Sequence, residues 1–303
     1  MGTVKRIVSV SLGSARRDHA VDAEFLGRRF RIERIGTDGD IQRAIALIRE
    51  LDGKVDAFGM GGIDLYLSAG RRRYVLRDAK KIAAAARQTP IVDGSGLKNT
   101  LERRVIEFLV ERTDIPIAHR RVLMVAGVDR FGMSEALAAA GAEMTFGDLV
   151  FGLGIPIALH SLTALDLAAR VLAPVVTQMP FSMLYPTGDK QERVLPKHAA
   201  YYHAADIIAG DFHFIRRYLP ERLSGQVVIT NTVTGEDIQL LRQRGVGRLV
   251  TTTPELHGRS FGTNVLEGVF VVLAGKPVAQ ITAADYHRLL DQIGLEPRIV
   301  DLR

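Results

Sequence analysis

Arg121–Gly154, RVLMVAGVDRFGMSEALAAAGAEMTFGDLVFGLG, decides how the rest of the chain is read. Val122–Ala126 is a short, β-branched apolar run of the length of a buried strand. Gly127 and Gly132 bracket a tight turn. Met133–Ala140 is an Ala- and Leu-rich helical segment, and Gly141 stands where a helix C-cap would. Met144–Leu149 reads as the next strand, ending at Asp148. Strand, glycine turn, helix, strand is the βαβ unit that opens a doubly wound sheet.

The turn is read as a candidate anion site. A helix N-terminus offers unpaired N–H groups, and glycine lets a pyrophosphate approach the backbone. Asp148 follows Gly127 by about 20 residues, the spacing of the acid that binds ribose hydroxyls in a dinucleotide fold. The turn is G-V-D-R-F-G, without the middle glycine of G-x-G-x-x-G, and its Asp129 would repel phosphate. A dinucleotide cradle and a purely structural βα turn are therefore both open.

Around this unit, 303 residues suggest two domains. Hydrophobic content of 47% and charged content of 24% are those of a soluble globular protein. With no cysteine there are no disulfides, thiolate nucleophiles or zinc–cysteine sites. No apolar run has the length of a bilayer span and the N-terminus lacks a signal-peptide pattern, so no membrane association and a cytoplasmic location are expected. Net charge +6 invites a nucleic-acid reading, but the basic residues are dispersed among acids and aromatics make up only 6%. Solvated surface, or a basic pocket for a carboxylate or phosphate, is the better account. The one pure basic run, Arg71–Arg73, reads as a turn between Leu67 and Tyr74. No metal site is expected, since the histidines form no H-E-x-x-H and no i,i+4 pair. The G-x-S-x-G and P-loop patterns are also absent.

Before the central unit, Lys5–Ser11, Val21–Leu26, Arg28–Arg34, Val55–Met60 and Pro90–Asp93 read as strands, and Ile41–Leu51, Asp78–Arg87 and Thr100–Glu111 as helices. Polar glycine turns follow the strands, at SLGSARRD, GMGGID and DGSGLKN, where open α/β sheets collect ligands. Ser9, Ser11 and Ser14 are candidate carboxylate binders, helped by Arg16 or Arg17. Lys98 is the candidate proton shuttle, through a pKa lowered by burial. After the central unit come a helix over Thr163–Leu172 closed by Pro174, a loop over Pro180–Lys190, strands at Asp206–Ala209, Gln226–Asn231 and Arg248–Thr252, and helices over Glu236–Arg244, Val265–Leu273 and Ala283–Gln292. Arg259, Ser260, Thr263 and Asn264 are spaced either as an anion-binding turn or as a capped helix start. The expected fold is α/β in two domains. Residues 1–117 form an α/β substrate-binding domain, and 118–303 a Rossmann-like, doubly wound parallel sheet.

Four segments, VSVSLGSARRDH, VDGSGLKNTLERRV, VAGVDRFG and TTPELHGRSFGTNVLEG, carry a resemblance. In the order of its parts the chain resembles the shikimate/quinate dehydrogenase family, and a bacterial group labelled quinate 5-dehydrogenase. The resemblance implies an NAD- or NADP-dependent oxidation of a cyclic polyhydroxy acid such as quinate or shikimate. It implies that Ser9 and Ser11 hold the substrate carboxylate and that Lys98 moves the proton. Ser14, Arg17 and Asn264 are read from the sequence itself as further substrate binders. Gly127 and Gly132 would flank the pyrophosphate, and Gly262 through Leu266 resembles the glycine-led helix on the nicotinamide side. Asp148, from its spacing, and Arg259, from the candidate anion-binding turn, complete the expected cofactor site. The family's catalytic aspartate has no match at its usual spacing; of the nearby acids Asp93 and Asp114, Asp93 is taken as the catalytic candidate beside Lys98. Competing with a dehydrogenase are a non-redox enzyme, or a sensor, binding a phosphorylated or carboxylated metabolite between two α/β domains. A small-molecule substrate is expected in each case, and a homodimer is compatible with all three.

Overall fold

The computed structural model describes residues 3–69, 72–180, 194–253, 255–256, 259–260 and 262–303, with the backbone only at 68–69, 255–256 and 259–260. The expected loop at Pro180–Lys190 lies, but for Pro180, outside the described residues.

The strands are β1 (Lys5–Ser11), β2 (His19–Phe25), β3 (Arg28–Gly36), β4 (Ala57–Gly61), β5 (Tyr66–Ala69), β6 (Arg72–Val75), β7 (Ile91–Val92), β8 (Arg121–Met124), β9 (Glu143–Phe146), β10 (Ile207–Ala209), β11 (Val227–Thr230), β12 (Arg248–Thr251), β13 (Glu255–Leu256), β14 (Arg259–Ser260) and β15 (Arg298–Asp301). The α-helices are α1 (Ile41–Leu51), α2 (Arg77–Ala83), α3 (Ser95–Arg112), α4 (Phe131–Ala139), α5 (Leu162–Val176), α6 (Ala199–Ala204), α7 (Phe212–Arg217), α8 (Gly235–Gln243), α9 (Thr263–Ala274) and α10 (Ala283–Ile293).

These elements build a mixed α/β molecule around two mainly parallel sheets. The first has the order β2-β3-β1-β4-β7, parallel except where β2 meets β3. The second has the order β15-β12-β11-β10-β8-β9, parallel except where β15 meets β12. Alternate residues of its strands enter different apolar clusters. Val122, Met124, Ile207 and Ala209 face one, and Leu123, Val125, Ile208 and Val228 the other. Burial on both faces explains why these strands read as continuous apolar runs. Counted from β8, the strand order is 2-1-3-4-5-6, whereas the dinucleotide-binding sheet runs 3-2-1-4-5-6.

The sequence boundaries shift in places with physical causes. α3 starts five residues earlier than its periodicity suggested, because Gly94 takes a φ of 94° and turns the chain directly into the helix. α5 runs through Pro174 instead of stopping before it. The stretch after β9 is not strand as far as Leu149. Asp148 opens a π-helical turn over Asp148–Gly152. Arg72 and Arg73 belong to strand β6 of a hairpin in which Leu67 opposes Tyr74, not to a turn.

α9 matters most for the site. It follows β12, yet it packs against β1, β4 and β7 of the first sheet and against α3. The chain then returns through α10 to place β15 on the second sheet.

Candidate functional site

The carboxyl ends of both sheets and the first turn of α3 converge on Lys98. A cation in the first turn of a helix opposes the helix dipole, and this one is buried, with its side chain only 11% exposed. Acids on both sides account for it. The Lys98 Nζ lies 2.9 Å from Asp129 Oδ1 and 3.3 Å from Asp64 Oδ1. Asp64 follows β4 of the first sheet, and Asp129 follows β8 of the second. Lys98 thus ties the two halves together.

The cluster continues through Arg130, 4% exposed, which contacts Glu102 on α3 and reaches Asp211 at 2.9 Å. Asp211 in turn accepts the Asn231 amide at 2.8 Å and caps α7 by accepting the His213 N–H at 2.9 Å. Two cations therefore stand among four acids, Asp64, Asp129, Glu102 and Asp211. Burial opposes the Lys98 ammonium, but Asp129 and Asp64 outweigh it and hold the lysine charged, above its ordinary range. This corrects the expectation of a lysine neutralised by burial. Burial also opposes the Asp129 carboxylate, and Lys98 and Arg130 overcome it, keeping Asp129 ionised. Burial together with the Asp129 charge pushes Asp64 well up, so Asp64 carries the proton. Burial raises Glu102 in the same way, against the pull of Arg130. Holding a proton on Asp64 relieves part of the cluster's excess negative charge. Glu102 Oε2 and Arg130 Nε are buried without a hydrogen-bond partner.

This cluster forms one wall of a cavity of about 300 Å³. Asn99 and Arg130 border it with Lys98 and Asp129, and the β5–β6 hairpin contributes Tyr66 and Arg73. The Arg73 guanidinium stacks over the Tyr66 ring, 5.6 Å from its centroid. A second, mainly apolar cavity of about 150 Å³ shares Asp129 and is bordered by Leu67, Val128, Leu165 and Phe214. Charged donors around this cavity can bind an anionic group.

The other expected residues are placed as follows. Ser9 and Ser11 are buried, and their hydroxyls are engaged within the protein. Ser9 Oγ accepts the Asn264 amide at 2.8 Å, which docks α9 on the first sheet. Ser11 Oγ accepts Arg34 at 3.0 Å and the Gly13 N–H at 3.1 Å. Ser14 caps a short 3-10 turn by accepting the Arg16 N–H at 3.2 Å. Burial lowers both Arg34 and His213 of the second half, and the charge of Arg17 adds to the effect in each. Asp93 does not meet Lys98. Its carboxylate accepts the Ser95 hydroxyl at 2.7 Å and the Leu65 N–H at 2.5 Å, fixing the start of α3 against the loop after β4. Asp114 is an exposed acid paired with Arg248 at 2.5 Å. Gly262 is the N-cap of α9. Arg259 lies on β14, and its side chain falls outside the described part of the structure, as does that of Ser260.

The glycine turn is closed on itself. Asp148 accepts the N–H groups of Gly127 at 2.9 Å and Val128 at 2.8 Å, taking the position of an incoming anion. Gly132 lies inside α4, where a Cβ would fall 2.2 Å from Asn99 Oδ1, so its role is close packing of α4 on α3. In this arrangement the turn does not fit a pyrophosphate. Sequence reading passed over Asp64, Glu102, Arg130 and Asp211, and took Asp129 only as an obstacle to phosphate. The adjacent Asp129-Arg130 pair was the available signal. Among the described residues no His, Asp and Glu side chains group to hold a metal ion, and no helix is long and apolar enough to cross a membrane.

A family model described as Domain of unknown function (DUF8754) matches residues 96–302, and one described as Domain of unknown function (DUF8753) matches residues 6–93. No curated protein matches the chain. Among solved structures, the chain is similar to GanP, a glucose-galactose binding protein from Geobacillus stearothermophilus, at 10% identity and TM-score 0.39, covering 99% of this chain and 98% of that one. A sugar ABC transport substrate-binding protein from Bordetella parapertussis 12822 is similar at 11% identity and TM-score 0.37, covering 98% and 89%. The hetero-hexameric glutamate dehydrogenase from Thermus thermophilus is similar at 13% identity and TM-score 0.38, covering 97% and 77%. Likeness at this level says nothing of what the present chain binds.

Proposed function

The chain belongs to the family described as Domain of unknown function (DUF8754), and from that premise we propose that it binds a small carboxylated or phosphorylated metabolite between its two α/β halves. One observation carries this reading. Lys98, on the wall of a cavity of about 300 Å³, is held charged by one acid from each half of the molecule. A ligand entering there meets Lys98 with Arg73 and Arg130 around it, and its anionic group competes with Asp129 for the ammonium. The volume suits a metabolite of the size that protein pockets enclose. Turnover of the bound metabolite makes a non-redox enzyme, and binding alone makes a sensor.

A second reading, an NAD- or NADP-dependent dehydrogenase acting on quinate or shikimate, is favoured by the contact of Lys98 with a carboxylate of the glycine turn. It requires the cofactor to displace Asp148 from the Gly127 and Val128 N–H groups.

Thermal melting with millimolar quinate, shikimate or glucose 6-phosphate tests the first reading. A ligand at a hundred times its dissociation constant adds about 2.7 kcal/mol of stability, so a bound metabolite raises the melting temperature. Stabilisation by NADH or NADPH, with none from the three metabolites, supports the second reading.

A further inference from the structure

We infer that the outer face of α5 is the contact between two copies of this chain. α5 is apolar on two opposite faces. Leu165, Ala169 and Ala173 point inward and are buried. Leu167, Val171 and Val175 share the same four-residue spacing, displaced by two positions, which is about 200° around a helix. They are 63%, 64% and 67% exposed. A surface helix normally turns a polar face to water, and a helix apolar all round is a buried one. α5 has the sequence of a buried helix and half of the burial.

The surface available fits a second copy. Ile155 and Ile157, in the segment leading into α5, are 41% and 57% exposed. They are exposed apolar side chains in the same stretch of chain as the stripe. An interface that buries about 800 Å² on each partner has an apolar core ringed by polar residues, and a solvent-facing apolar stripe is what such a core needs. Charge points the same way. The only charged residues of α5 are Asp166 and Arg170, and they pair with each other at 2.5 Å. The face therefore carries no net charge, and a copy of itself meets no repulsion although the whole chain is at +6. Two such stripes crossing about a two-fold axis make a self-complementary contact, with Val171, the middle residue, nearest the axis.

Light scattering coupled to size exclusion, over a wide concentration range, reads the assembly. The expected mass is twice the 33.2 kDa of one chain, and the double variant Leu167→Glu/Val171→Glu runs as a monomer with an unchanged far-UV spectrum. The absence of cysteine allows a second test independent of that variant's folding. Val171→Cys is expected to cross-link into a covalent dimer on mild oxidation, while Val110→Cys, at a site 53% exposed on α3, is not. A wild-type monomer at every concentration, a dimer that survives the double substitution, or equal cross-linking at both positions would overturn the inference.

Discussion

Asp148 accepts the Gly127 N–H at 2.9 Å, and its second oxygen takes the next N–H, that of Val128, at 2.8 Å. The turn with the outline of a nucleotide cradle is thus closed by the acid that the sequence suggested for ribose. Burial pushes the Asp148 carboxyl up to about 6, against these hydrogen bonds. It also pushes Glu267, which accepts the Gly94 N–H at 2.7 Å and the Tyr286 hydroxyl at 2.6 Å, up to about 7.

These two acids set a pH dependence. Each keeps its proton to higher pH in the native state than in the unfolded chain, so the native state binds more protons in that window. Their contribution to stability is therefore present below about pH 4 and is lost as pH rises through about 6 for Asp148 and about 7 for Glu267. Melting temperatures of Asp148→Asn and Glu267→Gln, measured from pH 4.5 to 7.5, are expected to fall less steeply with pH than wild type. A slope identical to wild type in both would contradict the assignment.

Asp64 and Asp129 flank one lysine but differ in charge, and isosteric amides separate them. Asp64 holds a proton, so Asp64→Asn removes little and is expected to cost under about 1 kcal/mol. Asp129→Asn takes the charge from beside a buried ammonium, a change that costs about 3–5 kcal/mol where a buried pair is broken. Urea denaturation at neutral pH measures both. Equal losses would mean that the proton is shared evenly.

Gly132 tests whether the turn is a cradle or a packing joint. Gly132→Ala brings a Cβ to 2.2 Å from Asn99 Oδ1 and 2.9 Å from the Asn99 carbonyl. Overpacking of this kind costs about 1–3 kcal/mol. Asn99→Ala in the same chain relieves only part of it, because the carbonyl remains. A Gly132→Ala protein as stable as wild type would show that α3 and α4 are not pressed together there.

Local elements were legible where the sequence carries its own signal. β1 coincides with the alternating KRIVSVS, and α1 with the apolar spacing that follows Asp40, whose side chain accepts the Arg43 N–H at 3.0 Å as an N-cap. What stayed hidden depends on distant partners. Asp129 meets Lys98 across 31 residues, and Asn264 meets Ser9 across 255. No periodicity records that α9 returns to the first sheet, or that β10 rather than a later strand lies beside β8. Ser9 and Ser11 were read as carboxylate binders, but a sequence does not show that Asn264 and Arg34 already engage their hydroxyls. The length of α3 depended on the left-handed backbone at Gly94, and the role of Asp148 on a π-helical turn after β9.

Titration calorimetry of the wild type and of Lys98→Met with quinate, shikimate, glucose 6-phosphate, NADH and NADPH tests the central claim most directly. The account predicts saturable binding of at least one of the three metabolites to the wild type, absent in a folded Lys98→Met, and no binding of either nucleotide. Binding of a nucleotide alone, or metabolite binding that survives Lys98→Met unchanged, would contradict it.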